Sequence, residues 1–158
     1  MRASISLTHN LDFTRAKKFV NSSVRHAILM EGINLSGYIR ERKLTGQALN
    51  VQTGRLRNSI QSRFKEKATE WTSTVSTNVK YAGAHEYGFK GAVTVRSHKR
   101  RIKSAFGKPI PTKEIMISSF TRQMNLPERS YMRSSLNENE RRILNAISKA
   151  VDDGLEFL

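Results

Sequence analysis

Apolar and polar positions alternate along this chain in two distinct rhythms, and each predicts a kind of element. Between residues 11 and 43, Phe13, Ala16, Val20, Val24, Ala27, Ile28, Leu35, Tyr38 and Ile39 fall on roughly one stripe at helical spacing. That predicts a long helix. Asp12 can cap its start by accepting orphan backbone N–H groups, and Arg40, Arg42 and Lys43 sit near its end, where cations favour the helix dipole. Gly32 and Gly37 weaken the middle and mark a place for a bend or break. An unbroken helix of this span would be roughly 45 Å long, which favours packing against a sheet or a neighbour.

Thr45-Gly46 ends that helix, and Thr53-Gly54 reads as the N-cap of a short helix with Leu56 and Ile60 on one face. A period of two follows. Ile60, Ser62 and Phe64 alternate with Gln61, Arg63 and Lys65. After a turn near Ala68 to Glu70, Trp71, Ser73, Val75, Thr77 and Val79 alternate with polar neighbours. This predicts a short helix and a half-buried antiparallel hairpin within residues 53–80. Tyr81 to Gly88 reads as a compact turn or single helical turn closed by Gly88.

Residues 91–125 hold an approximate internal repeat. Val93, Val95, Ser97, Arg100 and Ile102 line up with Ile115, Ile117, Ser119, Arg122 and Met124 at a constant offset of 22. Both arms alternate apolar and polar, while Gly107, Pro109 and Pro111 break regular structure between them. The expectation is an extended hairpin with its tip around residues 97–112. A last helix is expected over 137–156, with Asn137 and Glu140 as a capping box and Leu136, Ile143, Ala146, Ile147, Ala150, Val151 and Leu155 as its apolar face. Asp152, Asp153 and Glu156 then crowd its C-terminus against the dipole, which suits a free tail or a basic neighbour equally. Together these elements predict an α+β fold. A long N-terminal helix and a C-terminal helix pack on a small antiparallel sheet, with a protruding basic hairpin, in a single domain spanning residues 1–158.

Composition sharpens this picture. The chain has 158 residues, of which 37% are apolar, enough for one lean core that neighbouring subunits would complete. It has no cysteine, which excludes disulfides and thiolate metal sites. The polar start and the lack of any long apolar run predict a protein without secretory signal or membrane span, made in the cytoplasm. Lys and Arg number 28 against 13 Asp and Glu, a formal charge of +15 that attracts polyanions. From Gly88 to Lys113 there is no acid, but there are Lys90, Arg96, Lys99, Arg100, Arg101, Lys103, Lys108 and Lys113. That run is either a solvated loop or a contact surface for DNA or an acidic protein. Phe89 and Phe106 flank it and are expected to anchor the hairpin, with base stacking as the alternative.

Candidate chemistry is sparse. His9, His26, His85 and His98 are not paired at metal-ligand spacing, and no nucleophile elbow, phosphate loop or dinucleotide fingerprint is present. His85-Glu86 is the sole candidate acid/base pair, without an orienting group. No catalytic residue, metal or cofactor is expected, nor is any standard nucleic-acid-binding motif found.

Three segments nevertheless carry a resemblance when taken in order. They are Leu44-Thr45-Gly46-Gln47-Ala48-Leu49 with Thr53-Gly54-Arg55-Leu56-Arg57-Asn58-Ser59-Ile60, then Val79-Lys80-Tyr81-Ala82-Gly83-Ala84-His85-Glu86-Tyr87-Gly88, then Asn125-Leu126-Pro127-Glu128-Arg129-Ser130-Tyr131-Met132. This order resembles the virion morphogenesis and tail-completion (head-tail joining, neck) proteins of long-tailed bacteriophages, over residues 44 to 136. Glu128 and Ser130 depart from the small residue and second proline usual there. The motif residues read as structural. Thr53 caps, Gly54 permits a tight turn, and Leu56 and Ile60 pack inward. Tyr81 and Tyr87 pin a turn that Gly88 closes, and Glu86 answers an arginine such as Arg55 or Arg57. Pro127 ends a strand, Arg129 is an ion-pair partner, and Tyr131 plugs the core. The resemblance implies a structural virion protein in the neck or tail, a subunit of a ring, with six-fold symmetry to match a tail tube. Other neck or tail proteins would be its partners, with DNA in the passage and no membrane. On this expectation the hairpin, through Arg96, Lys99, Arg100, Arg101, Lys103 and Lys108, meets a neighbour or DNA. The rivals are a DNA-binding protein using that hairpin and an enzyme using His85 and Glu86.

Overall fold

A computed structural model describes residues 13–67 and 70–156, with side chains from residue 17 onward. Its elements are those of an α+β fold: helices near both ends and short antiparallel ribbons between them. The described residues group into two compact units. One comprises the chain up to Ala82 together with Ser130 onward, and the other is Gly83–Arg129.

In the first unit, helix α1 (Phe13–Glu41) runs without interruption through Gly32 and Gly37 and gives way to a 3-10 turn at Lys43–Thr45. The break expected as one outcome at the glycines does not occur. Gly32 serves close approach instead. A Cβ built there would lie 1.7 Å from Ser73 Oγ and 2.7 Å from Ser62 Oγ, so α1 rests directly on the hairpin of β1 (Gln61–Lys67) and β2 (Glu70–Ser76). That hairpin pairs from Gln61↔Ser76 to Lys67↔Glu70, and its Ser62, Phe64, Trp71, Ser73 and Val75 are half-buried on one face, as the alternation requires. Asp12, the expected cap, lies outside the described residues.

Helix α2 (Arg55–Ser59) is not capped by Thr53. Its N-cap is Gly54 at φ 70°, and the Thr53 hydroxyl accepts the Arg55 N–H at 3.4 Å in a local turn. The C-terminal helix α4 (Tyr131–Leu155) starts well before the expected residue 137, so Asn137 and Glu140 are interior residues rather than a capping box. Its buried side is also not the purely apolar face expected. Tyr131, Ser135, Asn139, Ala150 and Gly154 are buried, whereas Leu136 is 51% exposed. The polar members are tolerable because they bond backward along the helix. Ser135 Oγ donates to the Tyr131 carbonyl at 2.5 Å, and Asn139 Nδ2 donates to the Ser135 carbonyl at 2.8 Å.

The core of this unit is small. Ile39, Leu44, Ile60 and Tyr131 are buried together, with Leu35, Ala48, Leu49, Leu56, Val75 and Met132 packed around them. Leu56 and Ile60 do point inward, and Tyr131 does plug the core, at 0% exposure. Polar ties join α1 and the turn that follows it to α4. Arg142 reaches Glu31, while Lys43 Nζ donates to Glu138 Oε1 at 2.6 Å and Tyr38 donates to Glu138 Oε2 at 2.7 Å. The hydrogen bond from Lys43, then that from Tyr38, holds the Glu138 carboxyl below the usual carboxylate range, and the same bond to Glu138 raises Tyr38. A depressed folded-state pKa contributes stability that is present above the unfolded-state value and is lost as pH falls through the folded one. Glu138→Gln should therefore lower the melting temperature at neutral pH. The gap from wild type should close in acid, once Glu138 is protonated in the folded protein. A gap that does not change with pH, in melting curves across the acid limb, would refute this origin.

In the second unit, the short helix α3 (Ala82–Tyr87), whose first residue still belongs to the first unit, leads through Gly88 at φ 75° into four strands, β3 (Phe89–Val95), β4 (His98–Ala105), β5 (Lys108–Ile117) and β6 (Phe120–Leu126). β3 pairs with β6 and β4 with β5, both antiparallel. The register runs on from Val95↔Phe120 to His98↔Ile117, so the two ladders are the proximal and distal halves of one hairpin. The offset-22 repeat survives as pairing. Arg122 sits opposite Val93 and Arg100 opposite Ile115, so each arginine faces the equivalent of the other's partner.

Candidate functional site

Two surfaces, each within one unit, stand out. The first is the distal ribbon. Its turn is Phe106-Gly107, with Ala105 paired to Lys108 and positive φ at both turn residues, 50° and 75°. This is the two-residue geometry that matches the twist of a hairpin. Pro109 and Pro111, expected to break regular structure, lie inside β5 instead. Prolines withhold N–H groups, which blunts a strand against further pairing. A register shift between Ile102 and Ser104 takes up the mismatch between the arms.

Paired residues in an antiparallel ribbon share a face, and the faces alternate. His98, Arg100, Ile102, Lys113, Ile115 and Ile117 therefore share one face of the ribbon. Lys99, Arg101, Lys103, Glu114 and Met116 share the other. Positive charge is present on both. Arg101 Nε donates to Glu114 Oε1 at 2.7 Å. Among the described residues no ion pair is found for Lys99, Arg100, Lys103, Lys108 or Lys113, and Arg96 offers only its carbonyl, to the His98 ring. All of these basic residues are exposed. Phe106 is fully exposed and anchors nothing, contrary to expectation, and Phe89 at the other end of the basic run is 38% exposed. The sequence signal for the tip was a lone aromatic-glycine pair, weaker than the prolines that follow it.

The second surface is on the first unit. α1, β2 and α4 leave a cavity of about 400 Å³ lined by Ile28, Leu35, Val75, Leu136, Ile143 and Ile147 among others. Leu136 lines it and is 51% exposed, and Phe19, Met30, Ile33, Leu144 and Leu155 are exposed elsewhere along the two helices. Sequence periodicity missed this surface, because it assigned Leu136 and Leu155 to the buried face.

The motif residues occupy structural positions. Leu44, Leu56, Ile60 and Tyr131, from the first and third motifs, meet in the core of the first unit. In the second unit the second and third motifs meet: the Arg129 N–H donates to the His85 carbonyl at 2.9 Å. A Cβ on Gly88 would lie 3.1 Å from the Leu126 carbonyl and 3.0 Å from the Glu128 nitrogen. Pro127 follows directly on the end of β6, as expected of a strand terminator. Glu86 is buried, and Tyr81 and Tyr87 are 42% and 67% exposed. His85 is half-buried on α3. Among the described residues there is no group of three or more His, Cys, Asp or Glu that could hold a metal ion, and no helix long and apolar enough to cross a membrane. No family model matches the chain, and no curated protein or solved structure matches it significantly.

Proposed function

We propose that the chain is a non-enzymatic structural subunit of a bacteriophage virion, completing the tail or joining tail to head as part of a ring in the neck or tail. The observation that carries this reading is the incomplete burial of the first unit. Among the described residues its fully buried apolar residues are few, while large apolar side chains are exposed along α1 and α4, and the same helices with β2 leave an open apolar cavity. Isolated exposed apolar residues are ordinary, but a row of them along two packed helices is surface that association would cover. The three motifs support the same reading, since their residues sit in core, turn and close-approach positions. Their order is the one that suggests the tail-completion family and a six-fold ring. In this mechanism burial of shared surface between copies drives assembly in the host cytoplasm.

The test is the mass of the purified protein in solution, alone and with tail or neck particles. A closed oligomer, or incorporation at the head–tail junction, is expected. Ile33→Asp with Leu144→Asp, both at exposed positions, should leave the fold intact and reduce the species to monomer. A wild-type protein that stays monomeric at every concentration and ignores the particles would overturn the proposal.

A further inference from the structure

We infer that the distal ribbon β4–β5 is a binding element for double-stranded DNA, with Phe106 as a wedge that inserts against the base steps. Three observations converge on it, and none depends on the ring.

The first is where the charge lies. Lys99 and Lys103 occupy one face of the ribbon, with Arg101 paired there to Glu114, and Arg100 and Lys113 occupy the other beside Ile102, Ile115 and Ile117, with Lys108 next to the turn. An acidic protein surface docks against one face of a ribbon and leaves the second row of charge without a partner. A groove flanked by two phosphate backbones meets both faces at once. Grooves of B-form DNA admit a two-stranded β-ribbon, whereas the deep, narrow major groove of duplex RNA does not admit side chains.

The second is the tip. Phe106 is fully exposed on a turn whose two residues both have positive φ, so a large apolar ring is presented outward at the apex of the charged arms. Apolar side chains that partly unstack a base step are the standard wedge of proteins that bind bent duplex DNA. A single apical aromatic suits such a wedge better than it suits a single strand, which needs a succession of stacking platforms.

The third is the edge. Pro109 and Pro111 lie in β5 and withhold two N–H groups, which argues against a partner that adds a strand to it. Nucleic acid needs no free strand edge, because side chains grip its backbone and bases.

The experiment is a titration of the purified full chain against a short labelled DNA duplex of mixed sequence over a range of salt. Three variants are compared with wild type. Phe106→Asn puts Asn-Gly in the turn, the pair that best favours this geometry, so the hairpin stays folded. Arg100→Gln/Lys103→Gln/Lys108→Gln removes ribbon charge. Lys17→Gln/Lys18→Gln/Arg57→Gln removes the same charge from the body, where all three residues are exposed. Phe106→Asn should lose about tenfold in affinity with an unchanged salt slope. The ribbon variant should flatten the slope of log affinity against log salt by about 0.9 for each phosphate that the ribbon no longer neutralises. The body variant should bind within about twofold of wild type, since its charges meet no phosphate. Equal losses from ribbon and body variants, or wild-type affinity in Phe106→Asn, would overturn the inference. So would a single strand of the same sequence competing as well as the duplex. Ribbon variants that bind DNA normally but no longer join particles would overturn it too, in favour of a protein partner. The ring reading is judged separately by the mass measured without DNA, so either can fail while the other stands.

Discussion

Tyr131→Ala is expected to remove about 4 kcal/mol of folding stability, the scale for truncating a buried aromatic. Tyr131 is 0% exposed and shares its cluster with Ile39, Leu44 and Ile60, residues from α1, the turn after it and the approach to β1. The truncation opens a cavity where those segments converge at the start of α4. A domain of this size has about 5–15 kcal/mol in total, so a large share of the whole would be lost. Urea unfolding reads it directly: the midpoint should fall with the slope unchanged. Tyr87→Ala is the internal control. At 67% exposure it should move stability by no more than about 0.5 kcal/mol. A Tyr131→Ala loss as small as that of Tyr87→Ala would mean that the core does not centre on this ring.

Two glycines on one helix should respond to substitution with opposite signs. Gly37→Ala is expected to stabilise by roughly 0.8–1 kcal/mol, because a Cβ there meets nothing within 4 Å and alanine is the better helix former. Gly32→Leu is expected to destabilise by about 3 kcal/mol or more, beyond what its better helix propensity returns. Its Cβ would fall 1.7 Å from Ser73 Oγ and 2.8 Å from Ser73 Cβ, so α1 would have to lift from β2. Thermal melts of the two variants against wild type decide the matter. A stabilised Gly32→Leu would show that the helix does not rest on the hairpin there. The same melts on Gly32→Leu/Ser73→Gly should recover part of the loss, since the second change removes the atoms in the way.

Much of the architecture was legible because it rests on local periodicity. The stripe from Val20 to Ile39 gave α1, and the alternation of Ser62 and Phe64 with Arg63 and Lys65, and of Trp71, Ser73 and Val75 with their neighbours, gave the first hairpin. The alternation of apolar and polar residues in both arms gave the long hairpin. Caps were read less well. Thr53 and Asn137 are good capping residue types, but the cap positions are held by Gly54 and Ser130, both in left-handed geometry without a side-chain bond. Residue type states what can cap; where the helix begins depends on what its first turn packs against. For α4 that is decided by Tyr131, whose burial draws the helix start back to it.

Local pattern was sufficient for the α+β composition, the order of elements, the pairing of the two hairpins and the concentration of positive charge in one of them. These follow from alternation, spacing and charge count, which are properties of neighbours along the chain. Packing in three dimensions was needed to make Gly32 a contact point and not a break, and to place Ser135 and Asn139 on the buried side of α4 while Leu136 is 51% exposed. It also left Phe106 standing free at the turn while Pro109 and Pro111 continue the strand. The reason is common to all of these. Each depends on how closely two remote segments approach, and on whether a polar group finds its hydrogen bond within its own helix. Hydrophobic periodicity counts a buried serine as surface and an exposed leucine as core.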